Sequence, residues 1–208
     1  MINTEHFFKK LIKNDIRFFS GVPDSLLKNI CAYISDNTDK NNHVIAANEG
    51  NALALGIGYH LVSGKLPFVY MQNSGLGNIV NPLLSLADPD VYSIPMLLMI
   101  GWRGQPDLKD EPQHKKQGKV TLNMLEAMDV PYQILSPATT DEQAQTIIQN
   151  ASKEALKNNK PFVIVVQKTA ACSVVVVVEN YDLCYFFQKY VDLVVFELVY
   201  VIDAYLQA

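Results

Sequence analysis

Cysteine, membrane-length apolar runs and surplus positive charge are all scarce or missing in this 208-residue chain. Three cysteines, Cys31, Cys172 and Cys184, are odd in number and too few for a disulfide framework, which points to a reducing, cytoplasmic setting. With 17 Lys and Arg against 21 Asp and Glu, the net charge is −4, so no global basic field exists to draw nucleic acid. The longest apolar stretch, Val191 to Leu206, is cut by Asp192, Glu197 and Asp203 and is poor material for a membrane span. Residues 1–15 lack a long apolar core and a small-residue cleavage site, so no signal peptide is expected. Catalytic spacings are missing too. No Cys-x-x-Cys or His-x-x-x-His pair suggests a metal site, and no Gly-x-Ser-x-Gly elbow suggests a serine hydrolase. What is present, 49% hydrophobic and 18% charged residues, describes a globular chain rather than a disordered one.

Up to Lys168 two kinds of segment alternate. Apolar runs rich in β-branched and aromatic residues recur at 16–21, 43–47, 67–72, 95–101, 132–136 and 161–168. Between them apolar residues fall at helical spacing: Phe7, Phe8, Leu11 and Ile12; Leu26, Leu27, Ile30, Cys31 and Ile34; Leu53 to Leu61, with Gly64 as a stop; Leu122, Leu125 and Met128; Ile147, Ile148, Ala151 and Ala155. Short, continuously apolar strands alternating with helices predict a doubly wound α/β fold with a mostly parallel, six-stranded sheet covered on both faces.

In such sheets ligands bind beyond the carboxyl ends of the strands, so the residues following each strand carry the search for chemistry. Gly21-Val22-Pro23-Asp24-Ser25 follows the first strand and reads, alone, as a turn with Asp24 or Ser25 capping the next helix. Glu49 follows the second. It is either a favourable acid at a helix N-terminus or a half-buried carboxylate placed for proton exchange. The helix after it is loaded with small residues (Gly50, Ala52, Ala54, Gly56, Gly58) and would accept close packing by another subunit or a flat ligand. Gln72-Asn73-Ser74-Gly75-Leu76-Gly77-Asn78 follows the third strand and resembles a loop that offers backbone N–H groups to an anion or cofactor. No Gly-Lys-Ser/Thr follows it, so it is not a nucleotide-hydrolase phosphate loop. After the fourth strand, Trp102 to Lys119 reads as one long polar loop. It is either a solvated connection or an anion-receiving lid in which His114 exchanges protons.

Taken together, Gly21–Ser25, Ala47–Gly50, Gln72–Asn78 and Asp110-Glu111-Pro112-Gln113-His114 occur in the order found in one family. The pattern resembles the pyrimidine-binding half of thiamine diphosphate-dependent 2-oxoacid decarboxylases, in the phosphonopyruvate decarboxylase group with the sulfopyruvate decarboxylase alpha subunits as near relatives. The resemblance implies a parallel sheet whose first and third strands flank the switch point. It implies that Glu49 hydrogen-bonds the aminopyrimidine of thiamine diphosphate, that Asn73, Ser74, Gly75, Leu76, Gly77 and Asn78 line the cofactor, and that Asp24 and His114 form the acid–base pair. Ser25, Arg103 and Gln113 join Asp24 and His114 as candidates for meeting a small anionic 2-oxoacid. The implied reaction is conversion of 3-phosphonopyruvate to phosphonoacetaldehyde and carbon dioxide. The alternatives are sulfopyruvate as substrate, or a noncatalytic domain that dimerises through its Gly/Ala-rich helix.

One part of the family pattern is missing. The diphosphate half carries a Gly-Asp-Gly…Asn-Asn magnesium motif, and nothing of that kind occurs here. Thiamine diphosphate is therefore expected to be held only by its pyrimidine end, with Mg2+ on an absent diphosphate-binding domain or subunit in a homo- or hetero-oligomer. No metal ligand is expected in the chain itself. Residues 1–169 are assigned to the pyrimidine-binding domain. Residues 170–208, without Gly, Pro or Arg, form an atypical apolar tail that is either an added element on the sheet or a non-native extension.

Overall fold

Six parallel strands are joined by helices that cover both faces of the sheet. A computed structural model describes residues 2–168 and 170. The elements run α1 (Thr4–Lys13), β1 (Phe19–Gly21), α2 (Lys28–Asn37), β2 (His43–Ile45), α3 (Glu49–Ser63), β3 (Phe68–Gln72), a 3₁₀ turn (Asn73–Gly75), α4 (Leu76–Pro82), β4 (Leu97–Trp102), α5 (Pro112–Ala127), β5 (Tyr132–Leu135), α6 (Asp141–Asn158) and β6 (Phe162–Gln167). The strand order is β2-β1-β3-β4-β6-β5, and every pairing is parallel. The expectations for 170–208 lie outside the described residues, Ala170 excepted.

Strand side chains alternate between two cores, as a period of two requires. Phe68, Tyr70, Leu97, Met99, Phe162 and Ile164 pack under α1, α2 and α6. Their neighbours Val69, Met71, Leu98, Ile100, Val163 and Val165 pack under α3, α4 and α5. Burial on both faces explains why these strands read as continuous apolar runs. Helix ends follow local chemistry. Asn48 Oδ1 caps α3 by accepting from the Asn51 N–H, and Gly64 closes the helix at φ 68°. Thr140 and Gln143 form a reciprocal capping box at the start of α6.

Two segments expected as loops are helical. Residues 73–78 wind into the 3₁₀ turn and the start of α4, and the second half of 102–119 is the first half of α5. Pro112 stands at the first turn of α5, where its missing N–H costs nothing. That half of the helix buries only Gly118 and carries a polar sequence, so it has no apolar period to betray it. His114 is thus held on a helix rather than on a lid. Among the described residues no helix is long and apolar enough to cross a membrane.

Candidate active site

The chain leaves β1 towards α2 on one face and leaves β3 towards α4 on the other, so a crevice opens beyond the carboxyl ends of this adjacent pair. Asp24 stands in it. The residue is 5% exposed, with Oδ2 accepting from the Leu26 N–H at 3.0 Å and Oδ1 from Gln72 Nε2 at 2.7 Å. A Cβ at Gly101, on β4, would overlap Oδ2, so the carboxyl lies directly on that backbone. Burial pushes the Asp24 carboxyl above the ordinary aspartate range, against the opposing pull of Gln72, the Leu26 N–H and Arg103. Cys31, below it on α2, is pushed up to about 12 by burial and stays a neutral thiol.

Glu49 opens α3, half-buried, and its Oε2 accepts from Asn78 Nδ2 at 2.6 Å. Its Cγ lies against Gly75, where any Cβ would overlap it. Gly50 brings the same helix within reach of the Asn78 carbonyl, 3.0 Å from where a Cβ would stand. The two glycines thus let the N-terminus of α3 rest on the turn after β3. Of the other residues in that turn, Ser74 and Gly77 are exposed, and Leu76 is buried in the core under α3 and α4.

Asn73 is 1% exposed and engaged at both ends of its amide. Its Nδ2 donates to the Arg103 carbonyl (2.8 Å) and Thr121 Oγ1 (2.9 Å), and its Oδ1 accepts from the Arg103 N–H (3.1 Å). It pins the end of β3 to the end of β4 and to α5, which commits both amide hydrogens and one of the two acceptor positions on Oδ1. Asn73→Ala should destabilise the full chain by about 2 kcal/mol, because the Arg103 carbonyl loses its Asn73 donor, while Thr121 Oγ1 still donates to the Gln117 carbonyl and the Arg103 N–H to the Gly101 carbonyl. A urea midpoint shift well under that size would show that water replaces the amide.

Beyond β4, Arg103 reaches back over the crevice. Its Nε and Nη2 grip Asp110 at 3.0 and 2.6 Å, and its Nη1 donates to Ser25 Oγ at 2.8 Å. Asp110, 3% exposed, also accepts from the N–H groups of Gly104 and Glu111 and lies 3.0 Å from His114 Nδ1. The Arg103 guanidinium, with those donors, holds the Asp110 carboxyl well below the usual range. An ionised carboxylate only accepts, so His114 donates from Nδ1, and in the neutral ring Nε2 is then the acceptor. The fold tightens this corner with two glycines: Gly104 at φ 66° abuts the His114 carbonyl, and Gly118 abuts the Gly104 carbonyl. Gln113 lies exposed on the same first turn of α5.

The structure therefore groups the expected residues into a Glu49–Gly75–Asn78 cradle and an Asp24–Ser25–Arg103–His114 cluster at the same end of the sheet. Two residues at its heart were not among the candidates. Gln72 is the last residue of β3, and only its place before the glycine turn hinted at a role. Asp110 lay inside a motif already singled out, hidden behind the more conspicuous His114.

Comparison with known proteins fits this geometry. Residues 2–128 match the thiamine pyrophosphate enzyme, N-terminal TPP binding domain. The sulfopyruvate decarboxylase subunit alpha of Methanococcus maripaludis is 33% identical over 162 residues, 77% of this chain and 92% of that subunit. The phosphonopyruvate decarboxylase of Streptomyces viridochromogenes is 40% identical over 124 residues, 59% of this chain but only 30% of that enzyme. In fold, the chain resembles benzoylformate decarboxylase from Polynucleobacter necessarius, with a TM-score of 0.63 at 19% identity over 88% of this chain and 32% of that one. With more than half of its length matched to that domain, and a relative aligned over nearly its whole length, the chain belongs to the thiamine pyrophosphate enzymes through their N-terminal TPP binding domain.

Proposed function

We propose that this chain supplies the pyrimidine-facing half of the active site of a 2-oxoacid decarboxylase, with 3-phosphonopyruvate as substrate and phosphonoacetaldehyde and carbon dioxide as products. The observation that carries the reading is the Glu49 cradle. Glu49 Oε2 is held by Asn78, Oε1 has no hydrogen-bond partner among the described residues, and the missing side chain of Gly75 makes room for the half-buried carboxyl. A half-exposed carboxyl of this kind suits the ring nitrogen of an aminopyrimidine, whose lone pair accepts the proton the carboxyl shares with it. When bound, thiamine diphosphate supplies the electron sink that lets a 2-oxoacid lose carbon dioxide. Glu49 holds a proton against the ring, and the exposed backbone around Ser74 and Gly77 borders it. Asp24 keeps a proton to higher pH than an ordinary aspartate and stands ready to deliver it at the crevice floor. His114 exchanges one through Nε2. Arg103, steered by Asp110 towards Ser25, meets the anionic end of the substrate, with Gln113 at the rim.

The diphosphate and its Mg2+ belong, on this reading, to a second domain or subunit, and residues 1–169 form the pyrimidine-binding unit. An outer face of α3 supports an oligomer: Ala54 and Gly58 are exposed there beside Leu55 (40% exposed), Leu61 (63%) and Val62 (91%). A free, buried Cys31 accords with a reducing, cytoplasmic setting. Sulfopyruvate is the second reading, favoured by alignment over 92% and 88% of two alpha subunits named for it.

Reconstitution separates the two. The full chain is mixed with a diphosphate-binding partner subunit, thiamine diphosphate and Mg2+, and carbon dioxide release is followed with each substrate alone and in competition. Phosphonopyruvate should dominate the competition. A preference for sulfopyruvate would move the assignment to the second reading, and no release from either would overturn both in favour of a noncatalytic dimerising domain.

A further inference from the structure

We infer that Gln72 is a positioning residue for Asp24, and that its amide reverses, with Ser74 as counter-partner, each time the Asp24 carboxyl gains or loses a proton. The inference rests on the reading above that Asp24 exchanges a proton. It starts from a chain of three side chains: Ser74 Oγ donates to Gln72 Oε1 at 2.8 Å, and Gln72 Nε2 donates to Asp24 Oδ1 at 2.7 Å. The far carboxyl oxygen is already committed, because Oδ2 accepts from the Leu26 N–H and lies on the Gly101 backbone. Oδ1 is therefore the oxygen that takes the proton.

A buried carboxyl that changes protonation state has a bonding problem. Ionised, it needs a donor at Oδ1; protonated, it needs an acceptor at the same place, and a wrong partner leaves an unsatisfied polar group in a site only 5% exposed. A primary amide solves it by turning half a revolution, since one end donates and the other accepts. The turn would strand the other end of the amide if that end faced a fixed donor. Ser74 is not fixed: a hydroxyl donates to Oε1 in one state and accepts from Nε2 in the other simply by rotating. Ser74 is also exposed, so water can assist its rotation. Asp24 Oδ1, the Gln72 amide and the Ser74 hydroxyl are then paired in both states, so the proton moves without stranding a buried polar group. The other titratable groups acting on Asp24 cannot play this part. Arg103 at the end of β4 is a permanent donor, and the Cys31 thiol on α2 stays neutral.

The test uses the full chain and the reconstituted enzyme together. By NMR, the Gln72 side-chain amide protons should titrate with the same midpoint as the Asp24 carboxyl carbon. In Gln72→Met, which keeps length but neither donates nor accepts in the same way, the Asp24 midpoint should rise by about one pH unit. The matching limb of the kcat–pH profile should move with it. Ser74→Ala should lower kcat about threefold or more without changing KM, because one orientation of the amide loses its partner. Gln72→Glu, with a second carboxyl sharing the proton, should raise the midpoint further than Met does. An unmoved Asp24 midpoint in both folded Gln72 variants would overturn the inference. If the midpoint moves but no decarboxylation is found with any partner, the positioning role stands and the proposed reaction falls.

Discussion

Glu49→Gln should abolish decarboxylation in the reconstituted enzyme, lowering kcat about 10²- to 10⁴-fold, while the full chain unfolds at the same urea concentration as the parent. The change is nearly isosteric, and the amide carbonyl can still accept from Asn78 Nδ2, so the contact that docks α3 on the turn after β3 survives. What changes is the atom over Gly75. With the carbonyl turned to Asn78, an NH₂ replaces the unpartnered oxygen; it can donate a hydrogen bond to the lone pair of the ring nitrogen but cannot give that nitrogen a proton. Glu49→Asp keeps the charge but withdraws it by one methylene and should retain partial activity. Initial rates of carbon dioxide release at saturating cofactor give the comparison. Near-normal turnover by the Gln variant would remove Glu49 from the chemistry and with it the main support for the assignment.

Much of this site was legible because its parts are punctuated in the sequence. Gly21-Val22-Pro23-Asp24 and Gly75 through Asn78 stand directly after strands, and strand ends are where parallel sheets collect ligands. The strands were legible for a related reason: burial on both faces leaves them as unbroken apolar runs. Partnerships across the sheet were not. Nothing local says that Gln72 faces a residue 48 positions earlier, or that Arg103 spends its charge on Asp110 before any ligand arrives. Asn73 shows the converse: an amide in a glycine turn suggests a ligand contact, yet tertiary packing takes both its amide hydrogens and one acceptor position. The first half of α5 escaped because a helix on the rim, clamped by Gly104 against Gly118, needs no apolar stripe there.

Asp110→Asn should lower kcat about 10²- to 10³-fold and destabilise the chain by about 2 kcal/mol at neutral pH, through two separable effects. The parent carboxylate serves Arg103, His114 and two backbone N–H groups at once, and an amide has a single accepting end for all of them. Arg103, only 19% exposed, is left with an uncompensated charge, which accounts for the stability loss. The pH dependence follows from the depressed carboxyl. Its native pKa lies below the unfolded value, so its stabilisation is complete above about pH 4 and is lost as pH falls further through the native value. The urea midpoint of the parent should therefore drop in acid more steeply than that of the Asn variant. Catalysis fails for a different reason. The Asn NH₂ can donate to His114 Nδ1, driving the ring to the opposite tautomer and placing a proton on Nε2 where an acceptor stood. Nitrogen-15 NMR of the imidazole distinguishes the tautomers directly. A variant that keeps Nδ1–H and loses rate only in proportion to its lost fold would reduce Asp110 to a clamp for Arg103; reversal of the tautomer with the fold intact assigns it the orientation of His114.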